Sequence, residues 1–162
     1  MVNPKGTQPA SAERRLAELG IELPPTPTPM GSYVESVQAG KLLYLSGVLP
    51  VVAHKPAFVA RLGEGFDVEQ GHEAARIATL NALSAARHHL GSLDKVTRVV
   101  KLTSYLATTG DFASHAKVAD GASELLRDVF GEDRLPVRMV LGVASLPLGV
   151  PVVVELVFEV EV

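Results

Sequence analysis

The sequence predicts one α+β domain in which two helices pack on a single mixed β-sheet. The length of 162 residues suits one domain, and 47% hydrophobic residues can form a core, which excludes disorder over the whole chain. Segments with the apolar spacing of helices alternate with segments rich in β-branched residues. Their order is strand, strand, helix, strand, helix, strand, strand, which one sheet with one helical layer accommodates.

A short helix and a proline-rich connector precede this domain. Ser11 is a suitable N-cap for a helix that runs through Leu19, and we expect this helix to be peripheral. Residues 24–31 contain repeated prolines, which cannot continue a helix, so they predict a rigid connector. We therefore divide the chain into residues 1–31, a helix with its connector, and residues 32–162, the α+β domain.

The domain begins with a predicted hairpin. Tyr33–Gln38 and Leu42–Ser46 are strand candidates on either side of the turn Ala39–Lys41. The next segment, Pro50–Phe66, has little periodicity and predicts a long loop, with a short strand near Phe58–Leu62.

The first long helix is predicted to start at Asp67 and to run to Leu90. Asp67 followed by Gln70 has the spacing of a capping box, and Gly91 is suited to a left-handed helix end. At 100° per residue the helix has a face of small apolar side chains, which predicts close packing on a sheet. That face comprises Ala74, Ala75, Ala78, Ala82, Leu83, Ala85, Ala86 and Leu90, and the opposite side carries Glu73, Arg76, Ser84 and Arg87.

A strand, a second helix and two further strands complete the predicted domain. Val96–Leu106 is rich in β-branched residues, and Val137–Ser145 and Val152–Val162 have the same character. The helix between them ends at Gly131. Its apolar face consists of Val118, Ala122, Leu125, Leu126 and Val129.

The face of the sheet away from the helices is expected to be covered by another copy of the chain. Its predicted outward positions include Val140, Val153 and Val157, which are too apolar for a face in contact with water. We therefore expect a homo-oligomer.

Composition excludes several classes of function. The net charge of −3 and the low aromatic content disfavour nucleic acid as a partner. Cysteine is absent, which excludes thiol chemistry, and the five histidines show no metal-binding spacing, so we expect no metal site. No apolar segment is long enough to cross a membrane, and the first ten residues lack a signal-peptide core, so we expect a cytoplasmic protein.

Two charged residues stand within apolar strands. Arg138 lies in the sequence PVRMV, and Glu155 lies in the last strand. A guanidinium group binds a small carboxylate with two hydrogen bonds, and a glutamate can orient or deprotonate a water molecule. On spacing alone, a surface ion pair for Arg138 and a water-facing position for Glu155 explain the same residues.

Three segments together resemble the Rid (YjgF-like) family. They are Gly31-Ser32-Tyr33, the sequence LLYLSG at Leu42–Gly47, and PVRMVLGVASLPLGVPVVVELV at Pro136–Val157. The specific feature is an arginine on one strand, a Leu-Pro turn eight residues later and a glutamate on the next strand. The resemblance covers most of residues 31–162. It implies a chorismate-mutase-like fold and a homotrimer with sites in clefts between subunits.

The resemblance also implies an activity. Active family members hydrolyse reactive enamine or imine intermediates, such as 2-aminoacrylate, to a 2-keto acid and ammonia without a metal or cofactor. Carried over by position, Arg138 anchors the substrate carboxylate and Glu155 positions the attacking water. Tyr33 lines the pocket, and Ser46 and Gly47 form the turn that contacts substrate through the backbone.

Some positions depart from the family pattern. Val48 replaces the usual glutamine, and Val140 replaces a small or cysteine residue at a substrate-binding position, so the pocket is expected to differ in shape. Asp120 is the nearest candidate for the family's pocket asparagine, and an acid there weakens carboxylate binding. Two alternatives follow: a non-catalytic trimer that binds small carboxylates and regulates, and, less favoured, an endoribonuclease or translation inhibitor.

Overall fold

A computed structural model describes residues 11–162, so the first ten residues of the predicted segment 1–31 lie outside the described part. The helices are α1 (Ala12–Glu18), α2 (Val68–Leu90) and α3 (His115–Phe130). The strands are β1 (Ser36–Ala39), β2 (Leu42–Leu45), β3 (Val51–Val52), β4 (Lys55–Pro56), β5 (Val96–Ala107), β6 (Val137–Val143) and β7 (Val152–Val160). Short 3-10 helices span Leu93–Lys95, Glu132–Arg134 and Pro147–Gly149. No helix in residues 11–162 is both long and apolar enough to span a membrane.

The predicted α+β fold with one mixed main sheet is confirmed. Five strands lie in the order β1-β2-β7-β5-β6, and β1 and β6 are the edges. The neighbours pair antiparallel except β5 and β6, which are parallel and are connected through α3. Helices α2 and α3 cover one face, where Val152, Val154, Leu156, Phe158 and Val160 of β7 are buried as predicted. We call the other side of the sheet the open face.

Helix α2 begins and ends as predicted. The Gln70 N–H donates to Asp67 Oδ1 at 2.8 Å and the Asp67 N–H donates to Gln70 Oε1 at 3.0 Å, which completes the capping box. Gly91 ends the helix in the left-handed conformation, with φ of 81°. Ser84, however, is buried rather than on a water-facing side, because its hydroxyl donates to the Pro24 carbonyl oxygen at 2.6 Å and the connector covers it.

The expectation that the N-terminal helix is peripheral is wrong. Ala12 and Leu16 of α1 are 3% and 2% exposed and belong to the main hydrophobic core. Glu13 binds Arg87 at the end of α2, with 2.6 Å between Oε2 and Nη2, and its other oxygen accepts the Leu93 N–H. Apolar burial and this ion pair therefore fix α1 against the domain.

The loop after β2 contains a small hairpin. Strands β3 and β4 pair antiparallel across Ala53 and His54, whose φ angles are 50° and 64°. The short strand predicted at Phe58–Leu62 does not form, and only Leu62 makes isolated bridges there. The sequence did not predict this hairpin, because Ala53 and His54 adopt the left-handed conformation without the glycine or asparagine that usually indicates such a turn.

The placement of Val140 on the open face is wrong. Leu102 of β5 pairs with both Arg138 and Leu156, so Arg138 and Val140 share the helix-covered face with the core. Val140 is partly buried against that core. Val153 and Val157 do lie on the open face. The apolar side chains that β6 presents there are Val137, Met139 and Leu141, which are 71%, 52% and 44% exposed.

Helices α2 and α3 approach closely where they cross. A Cβ atom at Gly121 of α3 would lie 2.0 Å from the His72 carbonyl oxygen of α2. His72 Nε2 also lies 3.0 Å from Glu124 Oε2 of α3. The missing side chain at Gly121 therefore sets the distance between the two helices.

Gly121→Ala is expected to destabilise the fold by at least about 2 kcal/mol, because the added methyl group overlaps backbone that cannot move away freely. Helix propensity alone predicts the opposite sign. Gly110→Ala is the matched control, since its Cβ would meet nothing within 4 Å. Urea unfolding of both variants measures the difference, and equal midpoints would contradict the close crossing.

Candidate functional site

The Arg138 guanidinium is held within its own chain. Its Nη1 donates to Asp120 Oδ1 at 2.7 Å and to Ser123 Oγ at 3.1 Å, and both acceptors lie on α3. Strand β6 is an edge of the sheet, so no further strand within residues 11–162 flanks it. The aspartate that sequence reasoning set beside the pocket thus forms an ion pair with the predicted carboxylate anchor.

Glu155 lies on the other face of the sheet from Arg138. Thr103 of β5 pairs with Glu155 and with Met139, and the side chains of this row of paired residues lie on the open face. Along β7, Glu155 stands between Val153 and Val157 on that face. Glu155 is partly buried there. One chain therefore does not bring the side chains of Arg138 and Glu155 together.

Tyr33, Ser46 and Gly47 do come together, in a cavity of about 410 Å³ on the open face. Its lining residues are Met30, Tyr33, Ser46, Gly47, Leu49, Pro147 and Val153. A Cβ at Gly47 would lie 3.1 Å from Val153 Cγ1, so glycine leaves this space open. Val140, the remaining predicted binding residue, is on the helix-covered face and does not line this cavity.

The Ser46-Gly47 step is irregular backbone next to Glu155. Tyr44 pairs with Val157, and Val48 pairs with Val154. Between these two pairs the β2 side has one residue more than the β7 side, which is typical of a β-bulge. The Gly47 N–H donates to no backbone acceptor in residues 11–162. A free N–H in a bulge is available to a substrate oxygen, which agrees with the backbone-contact role predicted for this turn.

A second cavity adjoins the first and contains two titratable residues that the sequence analysis missed, Glu35 and His54. It measures about 80 Å³ and shares Met30, Tyr33, Gly47 and Leu49 with the first cavity. The remaining lining residues are Pro27, Thr28, Glu35, Val48, Val51 and His54. Glu35 follows Tyr33 by two residues within the predicted strand Tyr33–Gln38, so its alternation offered a signal, although β1 itself begins at Ser36. No local signal brings His54 here, because the β3–β4 turn does so.

Burial raises the pKa of Glu35 above its ordinary value of 4.5. The folded state therefore disfavours the charged carboxylate. The protonated form of Glu35 contributes its full share to the stability of the fold below pH 4.5, and this contribution is lost as the pH rises through the raised pKa. The Ser46 N–H donates to the Glu35 carbonyl oxygen at 2.9 Å, which holds this residue beside the Ser46-Gly47 step.

Glu35→Gln is expected to raise the melting temperature at pH 7 and to leave it unchanged below pH 4.5, where wild type is also neutral at this position. Glu73→Gln removes the same charge from an exposed position of α2 and is the control. Thermal unfolding followed by circular dichroism at both pH values measures the effect. A shift of equal size at the two pH values would show that burial of the charge is not its cause.

Comparison with known proteins shows the family to which the chain belongs. The family model described as "YjgF/chorismate_mutase-like, putative endoribonuclease" matches residues 13–160, a range that includes most of α1 and the whole connector. Protein TCP17 of Trypanosoma cruzi is 39% identical over 145 residues, which cover 89% of this chain and 91% of that protein.

Solved structures show the same fold. A protein from Shewanella oneidensis described as a putative endoribonuclease is 32% identical, with a TM-score of 0.88 over 93% of this chain and 99% of that chain. RidA from a Psychrobacter species is 26% identical, with a TM-score of 0.58 over 83% of this chain and 94% of that chain. The match over nearly the whole chain and the resemblance in the Arg138 and Leu-Pro segments agree, and the chain belongs to the YjgF (Rid) family.

Proposed function

We propose that this protein is a cofactor-free deaminase that hydrolyses imines or enamines of small amino-acid-derived carboxylates, at sites shared between two copies in a homotrimer. The observation that carries the proposal is the division of the site residues between the two faces of the sheet. The open face has a cavity with Tyr33, Ser46 and Gly47 beside Glu155, but its lining includes no cationic anchor. Arg138 lies at the free edge strand β6, where a neighbouring copy can meet it.

The exposed apolar surface supports assembly. Val37, Tyr44, Val137, Met139 and Leu141 all lie on the open face and are 44–71% exposed. Apolar surface of this kind is stabilised when a second copy covers it. A cleft between two copies then contains the open-face cavity of one and the β6 edge of the other.

The proposed reaction follows from these positions. Arg138 of one copy binds the substrate carboxylate, and the Gly47 N–H of the other copy orients it. Glu155 positions a water molecule that attacks the electrophilic imine carbon, and accepts its proton. Glu155 then returns this proton to the nitrogen of the carbinolamine, and the C–N bond breaks as the hydroxyl group loses its proton, which releases ammonia and a 2-keto acid. The sum is imine plus water to ketone plus ammonia.

A second candidate function is a non-catalytic trimer that binds small carboxylates. The ion pair between Arg138 and Asp120 favours it, because a ligand carboxylate must displace or share an existing anion. Endoribonuclease activity appears in the descriptions of the family and of the Shewanella structure. The net charge of −3 and the engaged Arg138 give little support for RNA binding by this chain.

The direct experiment follows ammonia and pyruvate from freshly generated 2-iminopropanoate, with and without the protein. Faster formation of both than in the uncatalysed reaction is expected. No acceleration, together with binding of pyruvate, would favour the carboxylate-binding trimer. Cleavage of RNA without imine hydrolysis would favour the endoribonuclease.

Changes at the anchor are expected to act in opposite directions. Arg138→Ala is expected to weaken pyruvate binding about ten- to a hundredfold, because a charge-assisted pair is lost. Asp120→Asn removes the competing anion and keeps the size, so pyruvate is expected to bind more tightly than to wild type. Calorimetry measures both variants. Unchanged affinity in Arg138→Ala would contradict the assignment of the anchor.

Glu155→Gln is expected to lower imine turnover about 10²–10⁴-fold while carboxylate affinity stays near that of wild type, since only proton transfer is removed. Glu159→Gln is the matched control, because Glu159 lies two rows along the same face of β7, where it accepts a hydrogen bond from Thr97. Steady-state kinetics of both variants measures the effect. Full turnover in Glu155→Gln would reject its role.

A further inference from the structure

We propose that Glu35 is the counter-ion for the protonated imine nitrogen, so that the site selects small zwitterionic 2-iminio acids. This inference rests on the proposed deaminase function and adds a residue that the predicted site lacked. It gives the two ends of the substrate different partners: Arg138 for the carboxylate and Glu35 for the iminium nitrogen.

The position of Glu35 supports this role. It lines the cavity that shares Tyr33 and Gly47 with the predicted pocket. The hydrogen bond from the Ser46 N–H to the Glu35 carbonyl oxygen holds Glu35 on one side of the Ser46-Gly47 step. The register of β2 and β7 places Glu155 on the other side of the same step. Strands β1 and β7 flank β2, and Glu35 directly precedes β1, so the Cα atoms of the two glutamates lie about 10 Å apart at the usual strand spacing.

The charge of Glu35 has no partner in the described chain. Within residues 11–162, its carboxylate accepts no hydrogen bond and forms no ion pair, and His54 across the same cavity is not paired with it. Burial alone acts on its pKa. A partly buried carboxylate without a counter-charge is stabilised by a bound cation, so this cavity suits a cationic group of the substrate.

The chemistry of imine hydrolysis needs such a cation site. Water adds readily to an iminium carbon and poorly to a neutral imine. A carboxylate next to the nitrogen favours the protonated form, since an opposite charge raises the pKa of the bound imine. After attack, the same carboxylate stabilises the –NH₃⁺ group, which leaves as ammonia when the C–N bond breaks and the hydroxyl group loses its proton. Glu35 itself neither gains nor loses a proton, so the overall reaction stays balanced.

The rest of the cavity restricts the substrate class. Met30, Val48, Leu49 and Val51 make its walls largely apolar. These walls suit the aliphatic side chain of a 2-iminio acid and do not compensate a further charge. We therefore expect substrates derived from alanine-like or other short aliphatic amino acids, and poor hydrolysis of imines with charged side chains.

The first test measures binding without turnover. Isopropylammonium carries the cationic nitrogen and a short aliphatic group but no carboxylate, and its binding to the intact protein is followed by NMR titration. Glu35→Gln is expected to weaken binding about tenfold or more, the usual effect of losing a hydrogen bond to a charged group. Glu35→Asp keeps the charge and is expected to retain part of the affinity. Glu159→Gln is the control and is expected to bind as wild type does.

The second test measures hydrolysis of 2-iminopropanoate against pH. Glu35→Gln is expected to lower kcat/KM and to move the alkaline limb of the profile to lower pH, because the bound imine is less readily protonated. An unchanged profile in an active Glu35→Gln variant, or isopropylammonium binding equal to that of wild type, would overturn the inference. Glu35-dependent amine binding in a wild-type protein that hydrolyses no imine would instead overturn the deaminase proposal and leave the cation site standing.

Discussion

The two-residue alternation of side chains across β6 and β7 is the constraint on which the candidate site depends. Helices α2 and α3 cover one face of the sheet, so each strand position belongs either to the core side or to the open face. Arg138 falls on the core side, in the row of Leu102 and Leu156, and Glu155 falls on the open face, in the row of Thr103. A slip of one residue in either strand would exchange these faces, and the buried valines of β7 prevent it.

The same alternation determines what surrounds Arg138. Its side chain extends along α3, and Asp120 and Ser123 accept hydrogen bonds from one end of the guanidinium. This pair is partly exposed, so water weakens its attraction and a ligand carboxylate can compete for the remaining donors. The open face, by contrast, offers partly buried carboxylates in an apolar setting. The proposed zwitterion site combines these two opposite electrostatic environments, and it requires two copies to do so.

Much of the fold could be predicted from the sequence because local signals agree with tertiary packing. The capping box at Asp67, the alanine face of α2 and the alternation in β7 each appear unchanged in the structure. Predictions failed where contacts with residues far away in the sequence determine the burial or the face of a side chain. Ser84 is buried by the proline connector, and Val140 changes face because the register of β6 is fixed by its pairing with β5.

The candidate site was less predictable than the fold. Tyr33, Ser46 and Gly47 follow the family motif and do meet in one cavity. Glu35 and His54 belong to no motif, and it is the β3–β4 turn and the loop before β1 that bring them together. The separation of Arg138 from Glu155 is a property of pairing between strands far apart in sequence, which motif spacing does not contain.

Subunit mixing tests the central proposal, a site shared between copies, most directly. Arg138→Ala and Glu155→Gln chains with different affinity tags are co-expressed, and mixed oligomers are purified through both tags. If the site is shared, an intact cleft forms wherever the Arg138 of one chain meets the open face of the other. Each mixed trimer is expected to contain one such cleft, which restores about a third of the wild-type sites. Mixed oligomers that stay as inactive as either parent variant, while the wild-type protein hydrolyses the imine, would contradict the account.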